Sequence, residues 1–233
     1  MVKDGDFVEV DFTGKTDGRV FETTLADEAK NAGFSDPNRV FKPVLVVAGK
    51  KMLVPGLDEE ILKSAEGESK TVSLTSDKAF GARNAEMVRL ISLSKFQEQG
   101  ITPVQGMTLE IDNMPARIIS ADGGRVKVDF NHPLAGKAIE YSFKVGKVYA
   151  DAASKVGAAA KNLFSGTGVT AKLDGSVAKF SVPSSVRKDT AFLEQKYRAI
   201  ELLLAFAPEI KKVVFEEEYA AVDQPQAGVE QAP

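Results

Sequence analysis

The chain carries one histidine and no cysteine among its 233 residues. Disulfides, thiolate metal sites and a cysteine nucleophile are therefore excluded, in keeping with a reducing compartment. The histidine, His132, has no second His or Cys with which to build a metal site. It lies in Asn131-His132-Pro133-Leu134-Ala135-Gly136-Lys137, a run dense in turn-forming residues. A lone histidine in such a run is ordinarily structural, so its importance depends on what the run connects.

It connects two strands. Arg125 to Phe130 alternates on one side, and Ile139 to Tyr149 reads as a central strand on the other. From the start, Phe7 to Gly14 alternates, with Val8, Val10 and Phe12 assigned to the core face and Phe7, Glu9 and Asp11 to the other. A hairpin turn at Thr16-Asp17-Gly18-Arg19 leads to a strand at Val20 to Thr24. Ala26 to Asn38 reads as loop with one helical turn, and Phe41 to Val47 as a strand. Pro55 and Gly56 open a short helix that carries acids in its first turn and places Leu57, Ile61 and Leu62 on one face. Glu68 to Thr75 is a further strand.

A second alternating system then interrupts the first, with strands at Met87–Leu93, Met107–Ile111, Ala116–Ser120 and Arg125–Phe130 and a short helix or turn at Phe96–Gly100. The last block is Ala-rich from Ala152 to Phe164 and has a hairpin around Asp174-Gly175. A long helix follows, with Asp189 as N-cap and its end before Pro208, then a strand at Lys211–Glu217. Phe192, Lys196, Ala199 and Leu203 form one line along that helix, and Leu193, Tyr197, Ile200 and Leu204 another. Asp223 to Pro233 is a Pro/Gln/Ala-rich tail expected to be disordered.

With 43% hydrophobic and 27% charged residues the chain is expected to fold. A formal charge of −3 without a Lys/Arg run gives no field for nucleic acid. The start of the chain is charged and lacks the apolar stretch of a signal peptide, and no apolar run is long enough to span a bilayer. A soluble, cytoplasmic protein is the expectation.

Five motifs carry a resemblance: Asp11-Phe12-Thr13-Gly14, Gly18-Arg19-Val20-Phe21-Glu22-Thr23-Thr24, Leu53-Val54-Pro55-Gly56-Leu57, Ala79-Phe80-Gly81 and the segment around His132. In this order and spacing, residues 1–149 resemble the FKBP-type peptidyl-prolyl isomerases, closest to SlyD-like and long archaeal members. The resemblance implies an α+β chain in which a twisted antiparallel sheet wraps a short helix (residues 1–84 with 131–150). It further implies a mostly-β insert-in-flap domain (85–130), and residues 151–222 look like the extra α+β domain of long archaeal members, ahead of the tail at 223–233.

The same resemblance implies a pocket of Phe12, Phe21, Val44, Leu53, Val54, Leu57, Phe80 and Phe143, with Leu134 on its flap, Glu22 at the acidic position and His132 at the rim. Phe12 and Phe80 stand where tyrosines are frequent, Glu22 where aspartate is usual, and Leu57 where many members have tryptophan. The implied reaction is X–Pro rotation, for which neither cofactor nor metal is needed. The insert is implied to hold unfolded chains through an apolar surface drawn from Met87, Val88, Leu90, Ile91, Phe96, Ile101, Met107 and Leu109, about half of which a small core would consume. Partners are then unfolded or proline-containing polypeptides, with no nucleic acid and no membrane, and with homodimerisation through residues 151–222. The rival reading keeps the fold as a peptide-binding chaperone with weak catalysis. Nickel handling, known in bacterial relatives, needs a His- and Cys-rich tail that is absent here.

Overall fold

In the computed structural model residues 1–34, 40–186 and 190–217 are described. The organising strand is β1 (Phe7–Thr16). Its later half pairs antiparallel with β2 (Arg19–Thr23), and its earlier half with β3 (Val44–Val47) on the same edge. The turn into β2 takes Asp17 and Gly18 to φ of 52° and 74°, which is the left-handed geometry of a tight hairpin. The other edge pairs with β9 (Ile139–Tyr149), and β9 in turn with β4 (Ser69–Leu74), which makes a five-stranded sheet. A six-residue helix α1 (Ala26–Asn31) follows β2.

One face of this sheet wraps α2 (Pro55–Leu62). Leu57 and Ile61 are fully buried there against Val8, Val10, Phe143 and Val145. Burying side chains of this size stabilises by about 1.5–3 kcal/mol each. The buried Asp58 carboxylate accepts the N–H groups of Gly49 and Lys51, both at 2.9 Å. That bond pair fixes the turn ahead of the helix and supplies a negative group near its N-terminus.

Between β4 and β9 lies a separate four-stranded antiparallel sheet. It comprises β5 (Val88–Ser92), β6 (Thr108–Ile111), β7 (Met114–Asp122) and β8 (Arg125–Asp129), with a short helix α3 (Leu93–Glu98) after β5. It has its own small core of Phe96, Ala116, Ile118, Val126, Val128 and Phe130.

The chain then forms α4 (Ala152–Leu163), β10 (Thr170–Asp174), β11 (Val177–Val182), α5 (Thr190–Phe206) and β12 (Lys212–Glu217). Asp151 caps α4 by accepting the Ser154 N–H at 2.9 Å. β12 runs parallel to β11. This unit is not a free appendage. Its core is continuous with Phe7, Leu45, Val47 and Tyr149 of the first sheet.

That continuity corrects the reading of β1. Phe7, expected on the less buried face, is completely buried because α4 covers it, with the Lys155 ammonium 5.5 Å from its ring centroid. β3 is also shorter than expected. Pro43 offers no N–H to a ladder, and the preceding chain is tied to α4 instead: Lys42 donates to the Asn162 carbonyl, and the Asn162 amide to the Pro43 carbonyl at 3.0 Å. The expected cap Asp189 and the tail from Asp223 lie outside the described residues.

Candidate active site

Phe12, Phe21, Val44, Leu53, Val54, Leu57, Phe80, Leu134 and Phe143 all fall in the apolar cluster around α2. Phe12, Leu57 and Phe143 are buried in it, whereas Phe21, Val44, Leu53, Val54, Phe80 and Leu134 keep exposed surface. The first group forms the floor of the cluster, and the second its partly exposed rim.

The aromatic arrangement is specific. Phe21 meets Phe80 edge-on at 5.8 Å and Tyr141 at 6.0 Å, and Phe12 meets Tyr141 at 5.8 Å. Tyr141, absent from the sequence-derived set, is therefore the ring that β9 contributes to this group. Phe143 lies two residues further along the same face, in register with Phe12 and inside the packed core. The signal that could have found Tyr141 is Gly14, its partner across the β1–β9 ladder. A Cβ on Gly14 would stand 2.6 Å from Phe21 Cζ and 2.9 Å from Tyr141 Cε1, so only glycine lets the two rings meet there.

Polar groups enter at two places. The Tyr141 hydroxyl donates to Glu22 Oε1. Burial and the adjacent Glu22 carboxylate push that hydroxyl far above the ordinary tyrosine range. β2, which carries Phe21 and Glu22, is pinned to β1 by bonds from its end: Thr24 Oγ1 accepts the Phe12 N–H at 3.0 Å and donates to Asp11 at 2.8 Å, and the Thr13 and Thr23 hydroxyls lie 2.7 Å apart. At the other side, exposed His132 stacks flat on Phe80, ring centroids 4.6 Å apart and planes 2° off parallel. Its Nδ1 accepts the Leu134 N–H at 3.1 Å, which assigns the neutral ring's proton to Nε2.

The segment bearing His132 is held by a compact bond network. Asn131 Oδ1 accepts the Asn84 N–H at 2.8 Å, and its amide donates back to the Asn84 carbonyl at 2.9 Å. Asp129 Oδ1 accepts from the Asn131 main chain and side chain at 3.0 and 2.7 Å, and Arg83 pairs with Asp129 Oδ2 at 2.5 Å. Burial tends to raise the Asp129 carboxyl, but the Asn131 bonds and the Arg83 charge outweigh it and hold it below its ordinary value. Gly136, at φ 78°, donates to the Gly81 carbonyl at 2.8 Å and so ties the segment to the loop of Phe80.

Chemically this is a partly exposed apolar cluster with a hydrogen-bonded carboxylate, Glu22, on one side and an imidazole, His132, on the other. Among the described residues no group of three or more His, Asp or Glu could hold a metal, and no helix is long and apolar enough to cross a membrane.

Comparison with known proteins identifies the family. The family model for the FKBP-type peptidyl-prolyl cis-trans isomerase matches residues 1–95, and one described as the IF domain of FKBP26 matches residues 89–134. A short-type peptidyl-prolyl cis-trans isomerase of Methanocaldococcus jannaschii is 32% identical over 148 residues, 64% of this chain and 94% of that one. This chain belongs to the FKBP-type peptidyl-prolyl cis-trans isomerases. The FKBP-type 16 kDa isomerase of Escherichia coli is 30% identical over 62% of this chain and 91% of its own, and the SlyD of Helicobacter pylori 29% over 51% and 67%. A solved structure of the three FKBP domains of wheat FKBP73 overlaps 64% of this chain and 40% of that one, with a TM-score of 0.34 and 16% identity.

The residues of 85–130 expected to form a client surface divide by burial. Leu90 is 62% exposed and Met107 37%. Met87, Ile91, Ile101 and Leu109 pack partly against the small core, and Val88 is half-buried. Phe96 is only 3% exposed and serves as the centre of that core, so it is no surface residue in this conformation. Val104 and Met114, 56% and 37% exposed, were not expected. Met114 shares strand parity with the buried Ala116 and Ile118, and parity alone would have assigned it inward.

Proposed function

We propose that this isomerase works without a covalent step, by holding the proline ring of an X–Pro unit on the aromatic rim and favouring the twisted amide. Rotation about the amide costs about 18–20 kcal/mol because it breaks resonance. The twisted form has a less polar carbonyl, so an apolar, water-poor surface suits it better than the planar form. The grouping of Phe21, Phe80, Phe12 and Tyr141 beside a held carboxylate carries this reading.

The inserted sheet is the client-holding part in this proposal, presenting Leu90, Val104, Met107 and Met114. A cleft of about 660 Å³ runs from its β6–β7 region to His132 and Pro133. A chain held on the insert thus has a path to the rim. Self-association through residues 151–222 belongs to the same proposal, supported by the exposed line of Leu193, Tyr197 and Leu204 along α5.

Proline-limited refolding of a client tests the pair of activities. The slow phase accelerates with the whole chain, and aggregation falls. Removal of residues 85–130 abolishes the effect on the refolding protein but not on a short X–Pro peptide. If the slow phase is untouched while aggregation still falls, the chain is a holding protein only. Sizing the chain with and without residues 151–233 tests self-association.

A further inference from the structure

Where the C-terminal unit meets the isomerase sheet, a second cleft of about 210 Å³ opens between the end of β2, the segment before β3, and helices α4 and α5. Two cations line it, Lys42 and Arg198, with Thr24, Gln195 and Val44, and among the described residues no acidic side chain is in its walls. The chain as a whole has more acids than bases, 33 against 30, so a cleft with two bases and no acid is not an average sample of its surface.

Lys42 Nζ donates to the Asn162 main-chain carbonyl, which leaves donors over. Among the described residues no carboxylate pairs with Lys42 or Arg198. Partial burial, and after it the nearby Arg198 charge, hold the Lys42 ammonium below its ordinary range. An oxyanion between the two would relieve that repulsion and take charge-assisted hydrogen bonds from both.

The position decides what the oxyanion belongs to. Val44 lines this cleft and also packs on the apolar cluster around α2. β2 leads from Phe21 and Glu22 at the pocket to Thr23 and Thr24 at the cleft. Two residues of strand span about 7 Å. An extended polypeptide with its proline at Phe21 covers that distance in two or three residues. We propose that the cleft is a carboxylate subsite that takes an Asp or Glu side chain of a client polypeptide, two or three residues from the proline in the aromatic pocket. The inference rests on the pocket being the proline site. It also gives the C-terminal unit a part in substrate choice, since Gln195 and Arg198 come from α5.

The test uses the full chain and fluorescent X–Pro peptides that carry Glu or Gln two or three residues from the proline on either side. Anisotropy is expected to give about fivefold tighter binding of one Glu peptide over its Gln twin at low salt, the size of a partly exposed charge pair. The preference shrinks at 1 M salt, where the screening length is about 3 Å. In Lys42→Gln and in Arg198→Gln the Glu/Gln ratio falls toward one. Equal binding of the twins by the wild type, or a preference that survives both substitutions, overturns the assignment. Isomerisation of the Gln peptide is followed in the same samples. If it is not accelerated while the Lys42- and Arg198-dependent preference stands, the carboxylate subsite holds and the reading of the aromatic pocket as the proline site falls.

Discussion

The Tyr141 hydroxyl donates a hydrogen bond to Glu22 while its ring meets Phe12 and Phe21 edge-on, and this bond orients the acidic group beside the aromatic rim. Glu22 has a longer and freer side chain than aspartate, so a fixed donor matters more here than it would for the shorter acid. Tyr141→Phe keeps the ring and removes the donor. Loss of about 1 kcal/mol of stability is expected from one such bond, with kcat/KM toward an X–Pro peptide falling about three- to tenfold through mispositioning. Unchanged peptide kinetics in a folded Tyr141→Phe chain would show that Glu22 does not act through this bond.

Alkaline titration gives an independent reading of the same bond. The folded-state ionisation of Tyr141 is raised above the unfolded value of 10.0, and that of Tyr149 is pushed up to about 12 by burial and the Glu9 carboxylate. For a raised group the stabilisation is complete below the unfolded value and is lost as pH rises through the folded one. Denaturant midpoints should therefore be flat below pH 10 and fall above it. Tyr141→Phe should show a shallower fall, because one of the two contributors is gone. An equally steep fall would mean that Tyr141 ionises like a free tyrosine.

The hinge around Asn131 has the opposite sign. Asp129 titrates below its ordinary value of 3.8, so its stabilising effect is present above that value and lost as pH falls through the folded one. Acidification below pH 3.8 should loosen the two crossings between the sheets before either core melts, seen as hydrogen exchange at the Asn84 and Asn131 amides. Asp129→Asn removes the Arg83 partner and should bring the same loosening at neutral pH. Protection of these amides that is indifferent to both changes would place the hinge's rigidity elsewhere.

Much of this architecture was legible in the residues, and the omissions have physical causes. Alternation located β9 from Ile139 to Tyr149, and the pair Asp17-Gly18 located the first hairpin, because period and turn chemistry are local properties. Burial of Phe7 was not legible. Its face also carries Glu9 and Asp11, and what covers it is a helix more than a hundred residues away in sequence. Alternation likewise could not choose between Tyr141 and Phe143, which share one face. The choice follows from register, which sets Tyr141 opposite Gly14. The parallel pairing of β12 with β11 is a non-local fact of the same kind.

Insert residues should separate packing from client contact. Phe96→Ala empties the centre of a small core and is expected to cost about 3–5 kcal/mol, enough to unfold the inserted sheet alone. Leu90→Ser changes a residue 62% exposed and should leave stability within about 0.5 kcal/mol. Its effect should fall on aggregation suppression, which drops while peptide isomerisation holds. Full suppression by Leu90→Ser together with Met107→Ser would exclude this face as the holding surface.

The shared core is expected to make the first sheet and the C-terminal unit unfold as one cooperative body. Phe7 is buried between them, and Leu45, Val47 and Tyr149 from the sheet meet Val156 and Phe164 from the other side. Phe7→Ala should cost about 3–5 kcal/mol. The diagnostic consequence is where the loss appears. Hydrogen-exchange protection should fall together in β1, the end of β9 and α4, because removing the ring opens both walls of one core. Loss confined to the sheet, with α4 protection intact, would mean that the two parts unfold independently. That outcome would also weaken the carboxylate subsite, whose Lys42 and Arg198 face each other only while this interface is closed.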